Sequence, residues 1–454
     1  MKILHTADWH LGQTFYEYDR RTEHLHFLEW LKRQIKQRDI DLLLLAGDVF
    51  DGPNPSAESQ RMYYHFLRQV TTDNPLLQII IIAGNHDSAA RLEAPNPLFD
   101  GMNITVRGVV KRDSEGEIDF AHLIVPVYKK ESLPLIRRAK ESGKTEEELL
   151  PITMNRDHIA AFCLAVPYLR QGDYPPSENY SKGIQALYKE LFNEIKEEGK
   201  PVIAMGHLQA TGAELSENDR SERTVIGGLE GVAPDAFDRR IVYTALGHLH
   251  RVQRVSEREN VRYAGAPIPM TFAEKKNRNS IVLIEIDERK TTINEGKTVI
   301  DERTATIDER TADVNEGRVH ITRLEVPLYA PLQSIPPLPE PLEGVMDAIF
   351  DLPDGEPTER SPYLEVKIKM IEPDTSYKYK IESALQGKAV RLARIVAVMP
   401  ALKSTGISAA SYEELQSLHP VDVALDYYKR RYGEQEMPAA MKQLLQEVVK
   451  EVEL

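Results

Sequence analysis

Eight residues of this 454-residue chain have types and spacings suited to holding metal ions: Asp8, His10, Asp48, Asn85, His86, His207, His248 and His250. They arrive in short turns: Asp8-Trp9-His10, Gly47-Asp48, Gly84-Asn85-His86-Asp87, Gly206-His207 and Gly247-His248-Leu249-His250. Carboxylate, amide and imidazole without a thiolate make a mixed oxygen and nitrogen donor set, which suits manganese, iron or zinc. Asp48 can bridge two ions through its two oxygens. Ions paired about 3.5–4 Å apart clamp the attacking and leaving oxygens of a phosphoryl group and bring the pKa of water near neutrality. Asp, Asn and Gly also favour turns for purely local reasons, but that leaves the histidines unexplained.

Positioning comes from the segments before the turns. Ile3–Ala7, Asp41–Ala46, Gln78–Ala83, Pro201–Met205 and Ile241–Leu246 are short apolar runs, and amphipathic stretches lie between them. This is the pattern of an α/β domain with buried strands over residues 1 to about 285. Phe27, Leu28, Leu31 and Ile35 share one face of a helix expected over Asp19–Arg38. In open α/β sheets, sites form beyond the carboxyl ends of strands, so the five turns should converge on one edge. The glycines permit sharp turning and close approach.

Beyond residue 285 the pattern changes. An apolar residue recurs at Ile286, Ile293, Ile300, Ile307, Val314 and Ile321. A coiled coil needs two such positions per heptad. The segment reads as a repeat insert at a hairpin tip between strands Ser280–Ile286 and Val319–Val326. A proline-rich stretch, Pro331 to Pro341, reads as a stiff linker. Tyr363–Met370 and Val390–Val398 read as strands and Ser376–Leu385 as a helix, which makes a small α/β domain over 328–403. In the tail, Val421, Ala424, Leu425, Tyr428 and Tyr432 form one amphipathic stripe, and Met441, Leu444, Leu445, Val448 and Val452 a second.

Composition limits the reading. A net charge of −14 is unlike a dedicated nucleic-acid binder, so bound cations must supply local positive charge. A single cysteine, Cys163, cannot form an internal disulfide, and the N-terminus lacks a signal-peptide pattern. Both fit a cytoplasmic protein without membrane association. Gly143-Lys144-Thr145 resembles the end of a phosphate-binding loop, but Arg138 stands where that loop needs glycine, so this chain has no ATP site of its own. His5, His24, His26, His65 and His122 follow no strand into a glycine turn and read as structural or surface histidines. Trp9 reads as packing beside the site. Arg20, Arg21, Lys275, Lys276 and Arg278 follow site turns and are the better candidates for phosphate contacts.

In order and spacing the turns resemble the motifs of the calcineurin-like metallophosphoesterases, and within them the SbcD-type exonuclease subunits of the SbcCD complex. Asp8-Trp9-His10-Leu11-Gly12, Gly47-Asp48-Val49-Phe50-Asp51, Gly84-Asn85-His86-Asp87-Ser88 and Tyr263-Ala264-Gly265-Ala266-Pro267-Ile268-Pro269 carry the likeness. It is strong over 1–285 and looser beyond, and the repeat insert has no counterpart. The resemblance implies an α/β fold: a β-sandwich flanked by helices in four layers. A nuclease domain would span 1–327 with the 286–321 insert, a small α/β capping domain 328–403, and C-terminal helices 404–454. It implies one metal on Asp8, His10, Asp48 and His250 and a second on Asp48, Asn85, His207 and His248. His86 would be catalytic, and Asp51 is a candidate to orient it. The ions would be Mn2+, with Mg2+, Fe2+ or Zn2+ as alternatives. The implied activity is 3'-5' exonuclease on duplex ends and endonuclease on single-stranded or hairpin DNA. It would be carried out by a homodimer within a heterotetramer, docked on an SbcC-type ATPase through the C-terminal helices. Alternatives on this fold are a phosphatase, a cyclic-nucleotide phosphodiesterase, or a silent DNA-end scaffold. Protein phosphatases carry Asp-Arg-Gly where Asp51-Gly52-Pro53 stands here.

Overall fold

The computed structural model describes residues 1–142, 145–213, 231–287, 312–314, 319–370 and 376–398, with Ala424, Leu425, Tyr428, Met437 to Ala439 and Met441 to Leu445 of the tail. The strands are β1 (Lys2–Thr6), β2 (Leu42–Ala46), β3 (Gln78–Ile82), β4 (Ile104–Arg107), β5 (Ile124–Tyr128), β6 (Ile159–Ala165), β7 (Val202–His207), β8 (Tyr243–Gly247), β9 (Gln253–Val255), β10 (Arg258–Tyr263), β11 (Ser280–Ile286), β12 (Ala312–Val314) and β13 (Val319–Glu325). They form two sheets, ordered β12-β13-β11-β1-β2-β3-β4 and β9-β10-β8-β7-β6-β5. The centre of each sheet is parallel: β1 to β4 in one, and β6, β7, β8 and β10 in the other.

Why these runs become central strands follows from their burial. Every residue of Leu42–Ala46 and Gln78–Ile82 is buried, because parallel strands are covered on both faces and so read as continuous apolar runs. Leu42, Leu44, Ile80 and Ile82 meet Cys163, Ile203, Met205 and Ala245 between the sheets. On the outer face of the first sheet, α1 (Arg21–Arg38) and α2 (Ala57–Asp73) cover Leu43, Leu45 and Ile81 with Leu31, Ile35, Phe66 and Val70. On the second, α3 (Leu133–Lys140) and α4 (Tyr180–Ile195) cover Phe162 and Ala204 with Ile136, Ile184 and Leu191. Helix, sheet, sheet and helix thus stack in four layers, as expected.

The proline-rich stretch is not a linker. It forms β14 (Leu332–Glu340), parallel to β15 (Tyr363–Lys369), which in turn is parallel to β16 (Arg391–Val398). Prolines survive there because β14 is an edge strand with only one neighbour to satisfy. Two helices, α5 (Leu342–Phe350) and α6 (Tyr377–Ala384), complete this small region. Its strand β15 contributes Tyr363 to a separate aromatic cluster with Phe15 and Phe272.

The chain divides into two compact units. The first is Met1–Lys369 with Pro373–Val398, and it takes in the small α/β region. The second is Met370–Glu372 with Met399–Leu454. In the second, Ala424, Leu425, Tyr428, Ala439 and Met441 to Leu445 are helical; the rest of the two tail stripes lies outside the described residues. Of the repeat insert, Ile293, Ile300 and Ile307 lie outside them. Ala312–Val314 pairs with β13, and β11 and β13 form the antiparallel pair that brackets the insert.

Candidate dinuclear metal site

All five turns meet at the carboxyl ends of the parallel strands. The amide of Asp8 donates to the Gly47 carbonyl at 3.0 Å and that of His10 to the Asp48 carbonyl at 3.0 Å, which zips the first two turns together. Asp8, His10, Asp48 and His248 all have positive φ, at 53°, 44°, 50° and 100°. Non-glycine residues resist that conformation by roughly 1 kcal/mol or more each, and such strain gathers at functional sites. The glycines make the close approach possible. A Cβ on Gly84 would lie 2.1 Å from Asp48 Oδ1, and one on Gly247 would lie 1.9 Å from the Ala46 carbonyl.

Backbone amides hold the carboxylates in place. Asp48 Oδ1 accepts from the His86 amide at 2.9 Å, and Asp8 Oδ1 from the His248 amide at 2.9 Å. The remaining side-chain atoms face one another. Asp48 Oδ2 lies 3.3 Å from His207 Nε2 and 3.6 Å from His10 Nε2. Asn85 Oδ1 lies 2.9 Å from His207 Nε2 and 3.1 Å from His248 Nδ1. His207 Nδ1 sits 2.9 Å from the Ala46 carbonyl, to which it can only donate. Its Nε2 therefore faces two oxygens, a place that either a proton or a cation can hold. Neither Nε2 of His10 nor Oδ2 of Asp8 meets a hydrogen-bond partner, although both are buried. Ligand-type atoms converge in three overlapping groups: Asp8, His10 and His250; His10, Asp48 and His86; Asp8, Asp48 and His207. Lone pairs converging on shared space, with few protons among them, fit cations.

The electrostatics agree. Burial pushes the Asp8 carboxyl up to about 6, against the pull of His207 and His250. Burial acts on Asp48 in the same direction, but His207 and His10 outweigh it and hold that carboxyl well below its ordinary range. Burial lowers His207, yet Asp48 and Asp8 carry it up to about 9. Burial, aided by His207, drops His248 to about 3. The cluster favours positive charge at its centre.

Four of the expected residues have neighbours that the sequence does not announce. The carboxylate of Asp51 is not the group that meets His86. It is the Asp51 backbone carbonyl that lies 3.0 Å from His86 Nδ1, while the carboxylate turns back to His10 Nδ1 at 3.3 Å. Arg20 is turned into the protein and not presented at the surface. It is buried and bound to Glu23, Gln13 and the Pro269 carbonyl. Arg21 and Arg278 are exposed but paired with Glu58 at 2.9 Å and Glu325 at 3.1 Å. Lys275 is half-buried and Lys276 exposed. The remaining histidines behave as expected: His5 and His24 are buried in the core, and Trp9 packs edge-on against Phe27 and Phe66.

Two further carboxylates emerge. Asp87 is buried and accepts from the amides of Val49, Phe50 and Gly84 at 3.1, 3.0 and 2.9 Å, which ties the second turn to the third. Its place directly after His86 is the only sign of it in the sequence. Glu274, also buried, lies 3.8 Å from His250 Nδ1 and accepts from the Met270 amide. Nothing local marks it.

A two-sheet sandwich with an oxygen and nitrogen cluster at its strand tips is the build of a metallophosphoesterase. The calcineurin-like phosphoesterase family model matches residues 1–252, more than half of the chain. A second model, described as a type 5 capsule protein repressor C-terminal domain, matches residues 329–432. The chain is 31% identical over 411 residues to the SbcD subunit of nuclease SbcCD from Rhodobacter capsulatus, covering 88% of both chains. The same subunit of Escherichia coli K12 is 31% identical, covering 64% of this chain and 66% of that one. That of Bacillus subtilis is 29% identical, covering 63% and 66%. The chain therefore belongs to the calcineurin-like phosphoesterases and, within them, to the family of SbcD nuclease subunits. It is a metal-dependent phosphodiesterase of the nuclease kind. Among the described residues no helix is long and apolar enough to cross a membrane.

Proposed function

We propose that this chain is the DNA-cutting subunit of an SbcCD-type complex and works with two divalent ions, Mn2+ by preference, in the cytoplasm. The observation that carries it is the Asn85, His207, His248 and Asp48 convergence, where acceptor atoms share one centre. Asp8, His10, Asp48 and His250 would hold one ion, and Asp48, Asn85, His207 and His248 the other. When bound, the pair supplies Lewis-acid charge to the phosphoryl group and acidifies water.

The chain's own residues do the rest. Asp48 spans the two ligand sets. His86 is only half-buried, and its Nδ1 rests on the Asp51 carbonyl, so Nε2 is free to face substrate. There it steadies a phosphate oxygen and, when protonated, gives its proton to the departing sugar oxygen. Asp51 holds the His10 ring from behind, as a carboxylate commonly does for a ligating histidine. The action would be 3'-5' exonuclease on duplex ends and endonuclease on hairpins, with 328–403 capping the site.

The test compares a linear duplex with a small phosphate monoester, with Mn2+ and with chelator. Cleavage of the duplex that needs Mn2+ and is lost in Asp48→Asn by about 10^3-fold is expected, the scale of losing a preorganised electrostatic clamp. Hydrolysis of the monoester alone would point to a phosphatase. The C-terminal region 404–454 is proposed to dock the ATPase, with the chain a homodimer in that assembly. Deleting it should abolish co-purification of the ATPase, and full retention would discard the docking.

A further inference from the structure

A sixth strand tip reaches the site, and none of the metal-type motifs lies on it. β6 sits between β5 and β7 in the second sheet, beside the strand that carries His207. It runs out into Val166-Pro167-Tyr168-Leu169-Arg170. The Tyr168 amide donates to the Ala83 carbonyl at 2.8 Å, immediately before Gly84-Asn85-His86. Its ring meets the His207 ring edge-on, with centroids 6.3 Å apart and planes at 77°. Tyr168 is half-buried, and its hydroxyl makes no hydrogen bond to a described residue. Arg170 is anchored at its backbone, where its amide donates to Asp173 Oδ2 at 2.8 Å and its carbonyl accepts from the Asp173 amide at 3.0 Å. Its side chain is exposed and forms no ion pair with a described residue.

Arg170 differs in this from the arginines that the sequence singles out for phosphate contacts. Arg20 is buried in its own network, and Arg21 and Arg278 are neutralised by glutamates. Arg170 stands two residues beyond Tyr168 as an exposed cation without an ion pair to a described residue, in a chain whose net charge is −14. A planar guanidinium and a phenolic O–H are both hydrogen-bond donors, and together they suit a phosphodiester oxygen.

We propose that Tyr168 and Arg170 form a subsite for the DNA phosphate adjacent to the scissile one, on the His207 side of the cluster. This rests on the nuclease reading and adds a specificity element to it: a substrate with a second phosphate gains a contact that a single-phosphate diester lacks. Tyr168 and Arg170 are substrate-positioning groups here and take no part in metal binding.

The experiment uses the full chain with Mn2+ and two substrates, a labelled duplex and bis(p-nitrophenyl) phosphate. Arg170→Gln should raise KM for the duplex about 5–20-fold and flatten the log–log salt dependence of binding by about one unit. Tyr168→Phe, which keeps the ring against His207, should raise duplex KM about 3–10-fold, in line with the net worth of one lost hydrogen bond. Neither should change turnover of the small diester by more than about twofold, or the Mn2+ affinity read by calorimetry. Unchanged duplex KM in both variants overturns the subsite. So does an equal loss on both substrates with weakened Mn2+ binding, which would make Tyr168 a prop for His207. If wild type hydrolyses the small diester and leaves the duplex intact, the nuclease reading itself fails, and the subsite with it.

Discussion

Two buried polar clusters lie close together in the sequence and differ in one respect. Around Arg20 every strong group finds its partner. The guanidinium donates to Glu23 at 3.2 and 2.7 Å, to Gln13 at 3.0 Å and to the Pro269 carbonyl at 2.6 Å, and the Tyr363 hydroxyl donates to Glu23 at 2.5 Å. Around Asp48 the imidazoles and carboxylates face one another, and buried Nε2 of His10 and Oδ2 of Asp8 have no hydrogen-bond partner. Native interiors satisfy their polar groups, so an unsatisfied cluster marks a place built for something else. The first cluster is complete as protein and joins the core to β15. The second is complete only with cations.

The comparison breaks first at Glu23. Both Arg20 and Glu23 are nearly inaccessible, at 1% and 5% exposure, so Glu23→Ala leaves a buried charge alone and should cost about 3–5 kcal/mol in urea unfolding. Mn2+ affinity in the surviving folded protein should not change; a matching loss of affinity would mean the clusters are one unit. Next, saturating Mn2+ at about 100 times its Kd should stabilise the protein by about 2.7 kcal/mol. Asp48→Asn should abolish that gain, and a melting temperature indifferent to chelator would deny that the second cluster needs cations. Asp51→Asn should weaken Mn2+ binding by about tenfold, the lower end for a group that supports a ligating histidine. If turnover falls while affinity holds, Asp51 serves His86 after all.

The smallest effect concerns a buried histidine outside both clusters. His5 pairs with the Tyr243 hydroxyl at 2.9 Å, and burial drops its pKa to about 3, against a small opposing backbone contact at Leu246. Folded His5 stays neutral while the unfolded chain takes up a proton below 6.5. Its contribution is therefore complete above pH 6.5 and is lost as pH falls toward 3, at about 1 kcal/mol for the first unit below 6.5. Unfolding free energies at pH 7.5 and 5.5 should show that slope in wild type and less of it in His5→Gln. Equal slopes would place the acid sensitivity elsewhere.

Much of the fold is legible in the sequence because buried parallel strands announce themselves. Leu42–Ala46 and Gln78–Ile82 are apolar without interruption, and the glycine turns that follow them are local signals. β14 looks like a linker in sequence because three prolines lie inside it, and only the presence of β15 on one side makes an edge strand of them. The tip of β6 attracts no notice in sequence because it carries tyrosine and arginine, not a metal-type residue. Sequence distance alone assigns Asp51 to His86, whereas the turn geometry sends its carbonyl one way and its carboxylate the other. Arg20 looks like a surface cation because the Pro269 carbonyl it donates to, and the Tyr363 hydroxyl that donates to its partner Glu23, lie hundreds of residues away.

By itself the sequence determined which atoms are available and where the chain can turn: ligand types and glycines are properties of single residues and their neighbours. Only the tertiary structure decided which of those atoms face one another and which charges are already neutralised. Both depend on bringing distant strands to within a few ångströms, and the energy of a polar group is set by what stands next to it once water has been excluded.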